Sequence, residues 1–178
     1  YILVQAEEEL LLIDQHALHE RIRYERLRND ESLWESQSKL EPIRLDLDAR
    51  QSARMSAAVD KLSEVGFSLR ENEDGWMIEA APHLLEGEEL VPFLLDLLQD
   101  TAEDGAPLET VDRRKDHLAF LNACRGAVKA NEKLTLPEMR RLVDDMRRIT
   151  NPWACVHGRP TALRLPLNSL DHHFGRHG

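Results

Sequence analysis

An apolar run followed directly by a polar, helix-forming segment is the feature that most constrains this chain. Leu10–Ile13 predicts a buried strand, and residues 17–28, which lack Gly and Pro and are rich in helix formers, predict a helix. Asp14 then lies where strand becomes helix. His16 and Glu20 are four residues apart, so on a helix their side chains share one face. An imidazole and two carboxylates at such a corner favour a divalent-metal site, although polar residues at a helix start often serve only as caps.

Cys155 and His157 form a second pair of candidate metal ligands, near the C-terminal end. On an extended backbone, a Cys-x-His pair points both side chains to one side of the strand. Thiolate and imidazole are preferred zinc ligands, and carboxylate oxygen is a regular third type. Together with His16 and Glu20 they supply four ligands of suitable chemistry if the fold joins the two regions. Spacing alone does not show that the two regions meet.

Four motifs carry a resemblance to a known protein family. They are Asp14-Gln15-His16-Ala17-x-x-Glu20-x-x-x-x-Glu25, Ala123-Cys124-Arg125, Cys155-Val156-His157-Gly158-Arg159-Pro160 and Phe174-Gly175-Arg176. Their order and content resemble the C-terminal domain of the MutL mismatch-repair family, from Tyr1 to the end of the chain. The first motif resembles the endonuclease motif that only some members carry. Val156 stands where the family usually has proline, which leaves the metal-binding atoms unchanged but makes the turn less rigid.

The resemblance implies a cytoplasmic bacterial repair protein that nicks DNA with bound metal ions. Asp14 and Glu20 would be catalytic, with Asp14 binding Mn²⁺ or Mg²⁺ through hard oxygen. Zn²⁺ would bind at His16, Glu20, Cys155 and His157, with Glu20 available to bridge both ions. The residues expected to line this site are Glu25, Cys124, Arg125, Arg159 and Arg176. Arg159 and Arg176 would hold phosphate, Glu25 would orient the site or pair with an arginine, and Cys124 is alternatively a small buried apolar residue.

The segment Gln37-Ser38-Lys39-Leu40-Glu41-Pro42 resembles the family's short Gln-x-x-Leu-x-Pro motif, which docks on the ring-shaped replication sliding clamp. Gln37, Leu40 and Pro42 would be the docking residues, with Leu40 as the aliphatic anchor. Alternatively, the segment is a linker with Leu40 packed on the body of the protein. The other partners that the resemblance implies are a second copy of the chain, double-stranded DNA and the mismatch-recognition protein MutS, with no membrane.

Composition bounds these expectations. The 178 residues are 42% hydrophobic and 31% charged, which indicates a globular protein of one domain or two small lobes. No apolar run approaches the roughly 20 residues that span a bilayer, and no signal peptide is recognisable. Two cysteines do not make a disulfide scaffold. The net charge of −10 predicts weak DNA binding by this chain alone, because phosphate contacts need basic residues. The acidic clusters are residues 7–9, 86–89 and 103–104.

The predicted fold class is α+β in two lobes. Residues 1–40 plus 109–178 would form a dimerisation lobe that carries the site, and residues 41–108 an inserted external lobe. Because residues 1–4 resemble the middle of a strand, we expect a fragment of a longer protein. The family resemblance implies that the missing part is an ATP-binding domain. The predicted elements are a hairpin of residues 1–4 and 9–13, a polar irregular stretch at 30–38, a strand at 43–47, a helix at 48–65, a hairpin of 67–69 and 76–78, a helix at 88–99, an exposed connection at 100–110, helices at 111–130 and 135–148, a strand at 161–165, and a short last helix.

Two other functions stay open at this point. The chain could be a non-catalytic dimerisation and clamp-docking module with a structural zinc, in which case Asp14 would be dispensable. A zinc hydrolase acting on a small molecule is a weaker alternative, because the sequence has neither a nucleophile elbow nor a glycine-rich phosphate loop.

Overall fold

The structure, a computed structural model, describes residues 1–85, 90–104 and 110–176. It mixes helices and strands, which confirms the predicted α+β class. The elements are β1 (Ile2–Gln5), β2 (Glu9–Ile13), α1 (Gln15–Asn29), a 3-10 turn (Glu31–Trp34), β3 (Ser36–Leu45), α2 (Ala49–Ser63), β4 (Ser68–Asn72), β5 (Gly75–Pro82), α3 (Leu90–Asp104), α4 (Val111–Arg125), α5 (Leu136–Met146), β6 (Ala162–Pro166) and α6 (Leu167–His173). No helix in the described ranges is long and apolar enough to cross a bilayer.

The chain divides into two compact units. A split unit contains Tyr1–Arg26 and Ala123–Gly178, and a continuous unit contains Leu27–Asn122. The lobe boundaries expected from sequence, after residues 40 and 108, differ from these unit boundaries. The assignment of a dimerisation lobe and an external lobe stays a prediction.

The sheet of the split unit joins strands from the two ends of the chain. Its order is β1-β2-β6, and both pairings are antiparallel. Ile2, Ile13 and Ala162 lie side by side across the three strands, and Leu3, Leu12 and Leu163 form the next row. Because neighbouring residues of a strand point to opposite faces, these two rows lie on opposite faces of the sheet.

One face of this sheet packs against helices α1 and α5. The buried cluster consists of Ile2, Ile13, Leu18, Ile22, Leu142 and Met146. Helix α5 begins with the predicted capping box, in which the Glu138 carboxylate accepts the Thr135 N–H at 2.6 Å. Leu142 and Met146 of α5 thus face the sheet, and the capping box fixes the residue at which α5 begins.

The continuous unit has a sheet of order β3-β5-β4, with helices α2 and α3 in the same unit. Asp48 caps α2 by accepting the Gln51 N–H at 2.8 Å, as predicted, and Gly66 follows the helix with a φ of +95°. The β4–β5 hairpin turns at Glu73–Asp74, and Gly75 has a φ of +107°. The fully buried side chains of the continuous unit include Met55, Leu62, Ile78, Phe93 and Leu94.

Three predicted boundaries are wrong. The stretch expected to be irregular at 30–38 contains the 3-10 turn and the start of β3. Helix α3 continues to Asp104, where a connection was expected from residue 100. Helix α4 ends at Arg125 and not near residue 130, and Gly126, a poor helix former, follows it. The acidic cluster at 86–89, the expected helix start at 88 and the connection at 105–109 lie outside the described residues, as do the side chains of the cluster at 103–104.

Candidate metal centre

Asp14 stands at the corner where β2 becomes α1. Its N–H donates to the Thr161 carbonyl at 2.8 Å, which extends the β2–β6 pairing by one residue. Its carboxylate oxygen Oδ1 accepts the N–H groups of His16 at 3.0 Å and Ala17 at 3.1 Å. Asp14 therefore caps α1, and its backbone ties the first motif to the residue that follows the Cys155 motif.

Glu20 is the central side chain of the site. It is only 5% exposed, although a carboxylate is costly to bury without partners. Its Oε1 lies 3.4 Å from Nε2 of His16, and its Oε2 lies 3.6 Å from Nδ1 of His157. The helical spacing of His16 and Glu20 therefore places both side chains together, as the sequence predicted.

Cys155 and His157 meet in a tight turn, not on the extended backbone expected from sequence. The Cys155 N–H donates to the Arg159 carbonyl at 2.8 Å, and the Gly158 N–H donates to the Cys155 carbonyl at 2.9 Å. Gly158 has a φ of +79°, which favours glycine, and Ala154 and Pro160 pair across the base of the turn. The expectation of strand alternation is wrong here, because these short backbone hydrogen bonds reverse the chain within five residues.

Three predicted ligands converge. Candidate ligand atoms of Glu20, Cys155 and His157 all lie within 4.8 Å of one another, and the structure places this group within the split unit. His16 approaches the same carboxylate from α1. Asp14, the remaining one of the five predicted metal ligands, is not in this group among the described residues; its carboxylate lies at the helix cap.

The orientation of His16 is set by its other ring nitrogen. Nδ1 lies 2.8 Å from the carbonyl oxygen of Val128, so this nitrogen carries the proton and donates. Nε2 is then the ring nitrogen that a metal ion would take, and this is the atom that faces Glu20. A backbone carbonyl that fixes the tautomer in this way is the usual support of a metal-binding histidine.

Cys124 lies beside this group, on the last turn of α4. Both cysteines are free thiols, and Cys124 is half-buried while Cys155 is buried. Burial, followed by the Glu20 carboxylate and the nearby Cys155, raises the pKa of Cys124 to about 12. Cys124 is therefore a neutral thiol next to Glu20, consistent with a residue that lines the site.

Glu25 ties α1 to the chain just before the Cys155 turn. Its carboxylate accepts the N–H groups of Thr150 at 2.6 Å and Asn151 at 3.0 Å, and the Arg21 guanidinium at 2.9 Å. Burial on its own would raise the pKa of Glu25, but these hydrogen bonds outweigh it and the pKa is lowered. Glu25 thus both pairs with an arginine and orients the segment that leads to Cys155.

The three arginines expected to line the site differ in position. Arg125 ends α4 and is half-buried, whereas Arg159 in the turn and Arg176 after α6 are exposed. Backbone groups hold the latter two, because the Arg159 carbonyl accepts from Cys155 and the Arg176 N–H donates to the Asp171 carbonyl at 2.8 Å.

Sequence reasoning missed four residues that build the site. Buried Gln15 donates to the carbonyls of Lys129 at 3.2 Å and Glu132 at 2.7 Å, and so holds the segment after α4 against α1. Fully buried Thr161 donates through its hydroxyl to the Pro152 carbonyl and closes the Cys155 loop. Gln15 lies inside the first motif, so its place there was the available signal; for Thr161 no local pattern pointed to a role.

The other two missed residues are Val128 and His19. The Val128 N–H donates to Nδ1 of His19 at 3.0 Å, while its carbonyl accepts from His16. Burial, then the charges of Arg23 and Arg26, lower the pKa of His19, which keeps this ring neutral and able to accept. Nothing in an apolar valine signals a backbone role, so only the structure could find it.

Comparison with known proteins agrees with the motifs. A family model described as the MutL C terminal dimerisation domain matches residues 1–134. The DNA mismatch repair protein MutL of Thiobacillus denitrificans is 37% identical over 179 residues, which is 99% of this chain and 30% of that protein. The MutL proteins of Xanthomonas oryzae pv. oryzae and Neisseria meningitidis are 37% and 34% identical over 99% of this chain, which covers 28% and 27% of their lengths. The chain thus spans less than a third of these relatives, and it belongs to the family of MutL C-terminal dimerisation domains of DNA mismatch repair.

Proposed function

We propose that this chain is the homodimerising, metal-dependent DNA-nicking domain of a mismatch repair protein. The observation that carries this proposal is the convergence of Glu20, Cys155 and His157 within 4.8 Å, with His16 beside them. A buried carboxylate, a thiol and imidazoles are the donor set that zinc prefers in proteins. The oriented His16 and the buried Glu20 support binding further, because an imidazole fixed by a backbone carbonyl and a carboxylate held among other donor groups are typical of metal sites.

The residues divide into binding and positioning roles. His16, Glu20, Cys155 and His157 would hold zinc, with Cys155 as a thiolate. Asp14 would hold manganese or magnesium through its carboxylate, which α1 already orients. When bound, such ions lower the pKa of water and neutralise charge on a phosphodiester. Arg159 and Arg176 are exposed and available to a phosphate, and Glu25 keeps the Cys155 turn in register with α1.

Homodimerisation is supported by the outer face of the β1-β2-β6 sheet. This face consists of Leu3, Leu10, Leu12, Leu163 and Leu165, with Gln5 at its edge. Leu3 is 63% exposed and Leu163 is 56% exposed. A contiguous apolar face of this kind marks an interaction surface, and two sheets pack face to face through such surfaces.

The dimer proposal has a matched test. Leu163→Asp should convert a dimer to a monomer in sedimentation velocity, because a charge would be buried at the centre of the interface. Leu40→Asp is the control, since Leu40 is also an exposed leucine on a strand but lies in the continuous unit. A dimer that survives Leu163→Asp would contradict this interface.

Clamp docking is supported by the conformation of β3. Pairing with β5 holds Ser36–Ser38 and Ile43–Leu45, and the register shifts between them. Leu40 is fully exposed within this irregular stretch, so the alternative in which it packs on the body does not hold. We propose Gln37, Leu40 and Pro42 as the clamp-binding residues, and MutS as a further partner of the whole protein.

The test of nicking compares the parent chain with Asp14→Asn on supercoiled plasmid with Mn²⁺ at low salt. Asparagine caps helices as well as aspartate, so this variant retains the fold while losing the charge. We expect nicking by the parent, none by the variant, and equal zinc content in both. Sliding clamp is added if neither protein nicks, because the net charge of −10 predicts weak DNA binding by the chain alone.

The second candidate is a dimerisation module with a structural zinc. The capping role of Asp14 favours it, because a cap explains this residue without catalysis. If the parent chain contains zinc but does not nick plasmid even with sliding clamp present, this result would support the dimerisation module over the nuclease.

A further inference from the structure

A polar cavity of about 500 Å³ opens within the split unit, between α1, the segment after α4, and α5. We call it the arginine pocket. Its lining residues are His19, Ile22, Arg23, Arg26, Val128, Glu132, Leu134, Glu138, Arg141, Leu142, Asp145 and Arg148. Four guanidinium groups therefore face one cavity in a chain whose net charge is −10.

The three carboxylates of the arginine pocket are already engaged. Asp145 lies 3.7 Å from Arg26 and 3.3 Å from Arg148. Glu138 caps α5 through Thr135, and Glu132 accepts the Lys129 N–H at 3.2 Å. These acids are thus held by neighbouring groups, and four arginines against three carboxylates give the lining an excess of one positive charge.

Two of the arginines are poised for an anion. Arg23 is half-buried, and burial together with the charge of Arg26 lowers the pKa of Arg23, which reflects crowding of like charges. The exposed side chain of Arg141 makes no hydrogen bond or ion pair with the residues that the structure describes. A bound anion would relieve the crowding and give Arg141 a partner.

We propose that the arginine pocket binds a phosphate group of the DNA backbone, next to the candidate metal centre; this rests on the proposed nicking function. Val128 connects the two places, because its carbonyl holds His16 and its N–H holds His19 of the pocket. Guanidinium groups match phosphate geometry, and among the described residues that line the pocket there is no Phe, Tyr or Trp on which a base could stack. The lining therefore fits backbone phosphate better than a nucleotide base.

The test measures DNA binding, not nicking, and uses the whole 178-residue chain. Anisotropy of a labelled duplex is recorded at several low salt concentrations with no Mn²⁺ or Mg²⁺ added. Arg141→Gln should weaken binding about tenfold and reduce the slope of log affinity against log salt by about 1. Arg140→Gln is the matched control, since Arg140 is the adjacent residue on α5 but lines a different, apolar groove of about 350 Å³. Its affinity should stay within about twofold of the parent.

Three outcomes would overturn the proposal. Unchanged binding by Arg141→Gln would do so, and so would an equal loss with Arg140→Gln, which indicates net charge alone. In a third arm, the melting temperature of the parent chain is measured with increasing inorganic phosphate, and chloride at equal ionic strength is the control. Phosphate that stabilises the parent while Arg141→Gln leaves duplex binding intact would assign the pocket to free phosphate.

A second variant tests the buried side of the arginine pocket, and a third separates this proposal from the nuclease. Arg23→Gln should also weaken duplex binding, with circular dichroism checking the fold because Arg23 packs against Gly126. Asp14→Asn should bind duplex as the parent does even where nicking is lost. Failure of nicking with normal duplex binding thus counts against the proposed function and not against the pocket.

Discussion

Buried polar side chains are distributed unevenly between the two units. Of the five buried polar or charged residues in the described part of the chain, four lie in the split unit: Gln15, Glu20, Glu25 and Thr161. The continuous unit has Arg114, which pairs with Glu64. Its interior is otherwise built from large apolar side chains such as Leu62, Ile78 and Phe93.

This difference follows from what burial costs. Apolar burial stabilises a fold in any arrangement that fills space, whereas a buried polar group must find a hydrogen-bond partner. In the split unit those partners come from distant parts of the chain: Glu25 bonds Thr150, and Gln15 bonds Glu132. Buried polar side chains that are hydrogen-bonded in this way are held in defined positions, and a metal site requires such fixed positions.

The largest expected effect tests the apolar side of the comparison. Phe93→Ala should lower the free energy of unfolding by about 3–5 kcal/mol, because it leaves a cavity where a fully buried ring stood. Urea denaturation is followed by tryptophan fluorescence in a Trp153→Phe background, which leaves only Trp34 and Trp76 of the continuous unit as reporters. A loss under about 1 kcal/mol would contradict the described core.

Zinc removal tests the polar side. Zinc at about 100-fold its Kd should stabilise the parent by about 3 kcal/mol, and Cys155→Ser should abolish both the bound zinc and this gain. Cys124→Ser is the matched control, because Cys124 lies beside Glu20 but outside the ligand group. Metal analysis and melting curves with and without chelator measure the effect. Equal zinc loss from both variants would place Cys124 among the ligands.

A smaller effect is expected from the link between α1 and the Cys155 turn. Glu25→Gln should cost about 2 kcal/mol, because an amide offers only one acceptor to the Thr150 and Asn151 N–H groups and loses the ion pair with Arg21. Asp144→Asn makes the same charge change at an exposed position of α5 and should be near neutral. If the two variants melt alike, the buried carboxylate does not hold the turn.

The same residue predicts a pH dependence. The pKa of Glu25 is lowered below 4.5 in the folded state, so its stabilising contribution is complete above pH 4.5 and is lost as the pH falls through the folded pKa. The stability difference between the parent and Glu25→Gln should therefore shrink below pH 4.5. Chemical denaturation of both metal-free proteins between pH 7 and pH 3.5, roughly spanning the ordinary carboxyl pKa, measures it. A constant difference would contradict the assigned charge state.

The smallest effect concerns the exposed strand β3. Leu40→Ala should change the free energy of unfolding by less than about 0.5 kcal/mol, because Leu40 is fully exposed. Leu45→Ala in the same strand should cost about 2–4 kcal/mol, because Leu45 is 2% exposed. Clamp binding, measured by surface plasmon resonance, should be lost only with Leu40→Ala. Clamp binding that survives this change would remove Leu40 as the anchor.

Sequence patterns predicted elements well where two local signals coincided. Helix α2 has a capping aspartate before it and a glycine after it, and the structure confirms both ends to within two residues. The capping box of α5 and the Asp-Gly hairpin of β4 and β5 are confirmed for the same reason. Caps and turns act within a few residues, so their energetics are visible in the local sequence.

Predictions were wrong where apolar spacing was followed past a break in the backbone pattern. Helix α4 ends at Arg125, one residue before Gly126, although the apolar spacing continues to Val128. The Cys155 segment was expected to be extended, yet its backbone hydrogen bonds close a turn. Periodicity carries the information in neither case, because it describes side chains and not the backbone hydrogen bonds that end a helix or close a turn.

The sequence by itself determined the chemistry of this protein: which side chains are available as ligands, the order of the motifs, and the family to which the chain belongs. The tertiary structure decided that Asp14 meets Thr161, that Glu20 meets Cys155 and His157, and that Val128 supports two histidines. The physical reason is that β2 pairs with a strand roughly 150 residues away in sequence, in a register set by burial of one sheet face. A register of this kind depends on the whole core, so no single segment encodes it.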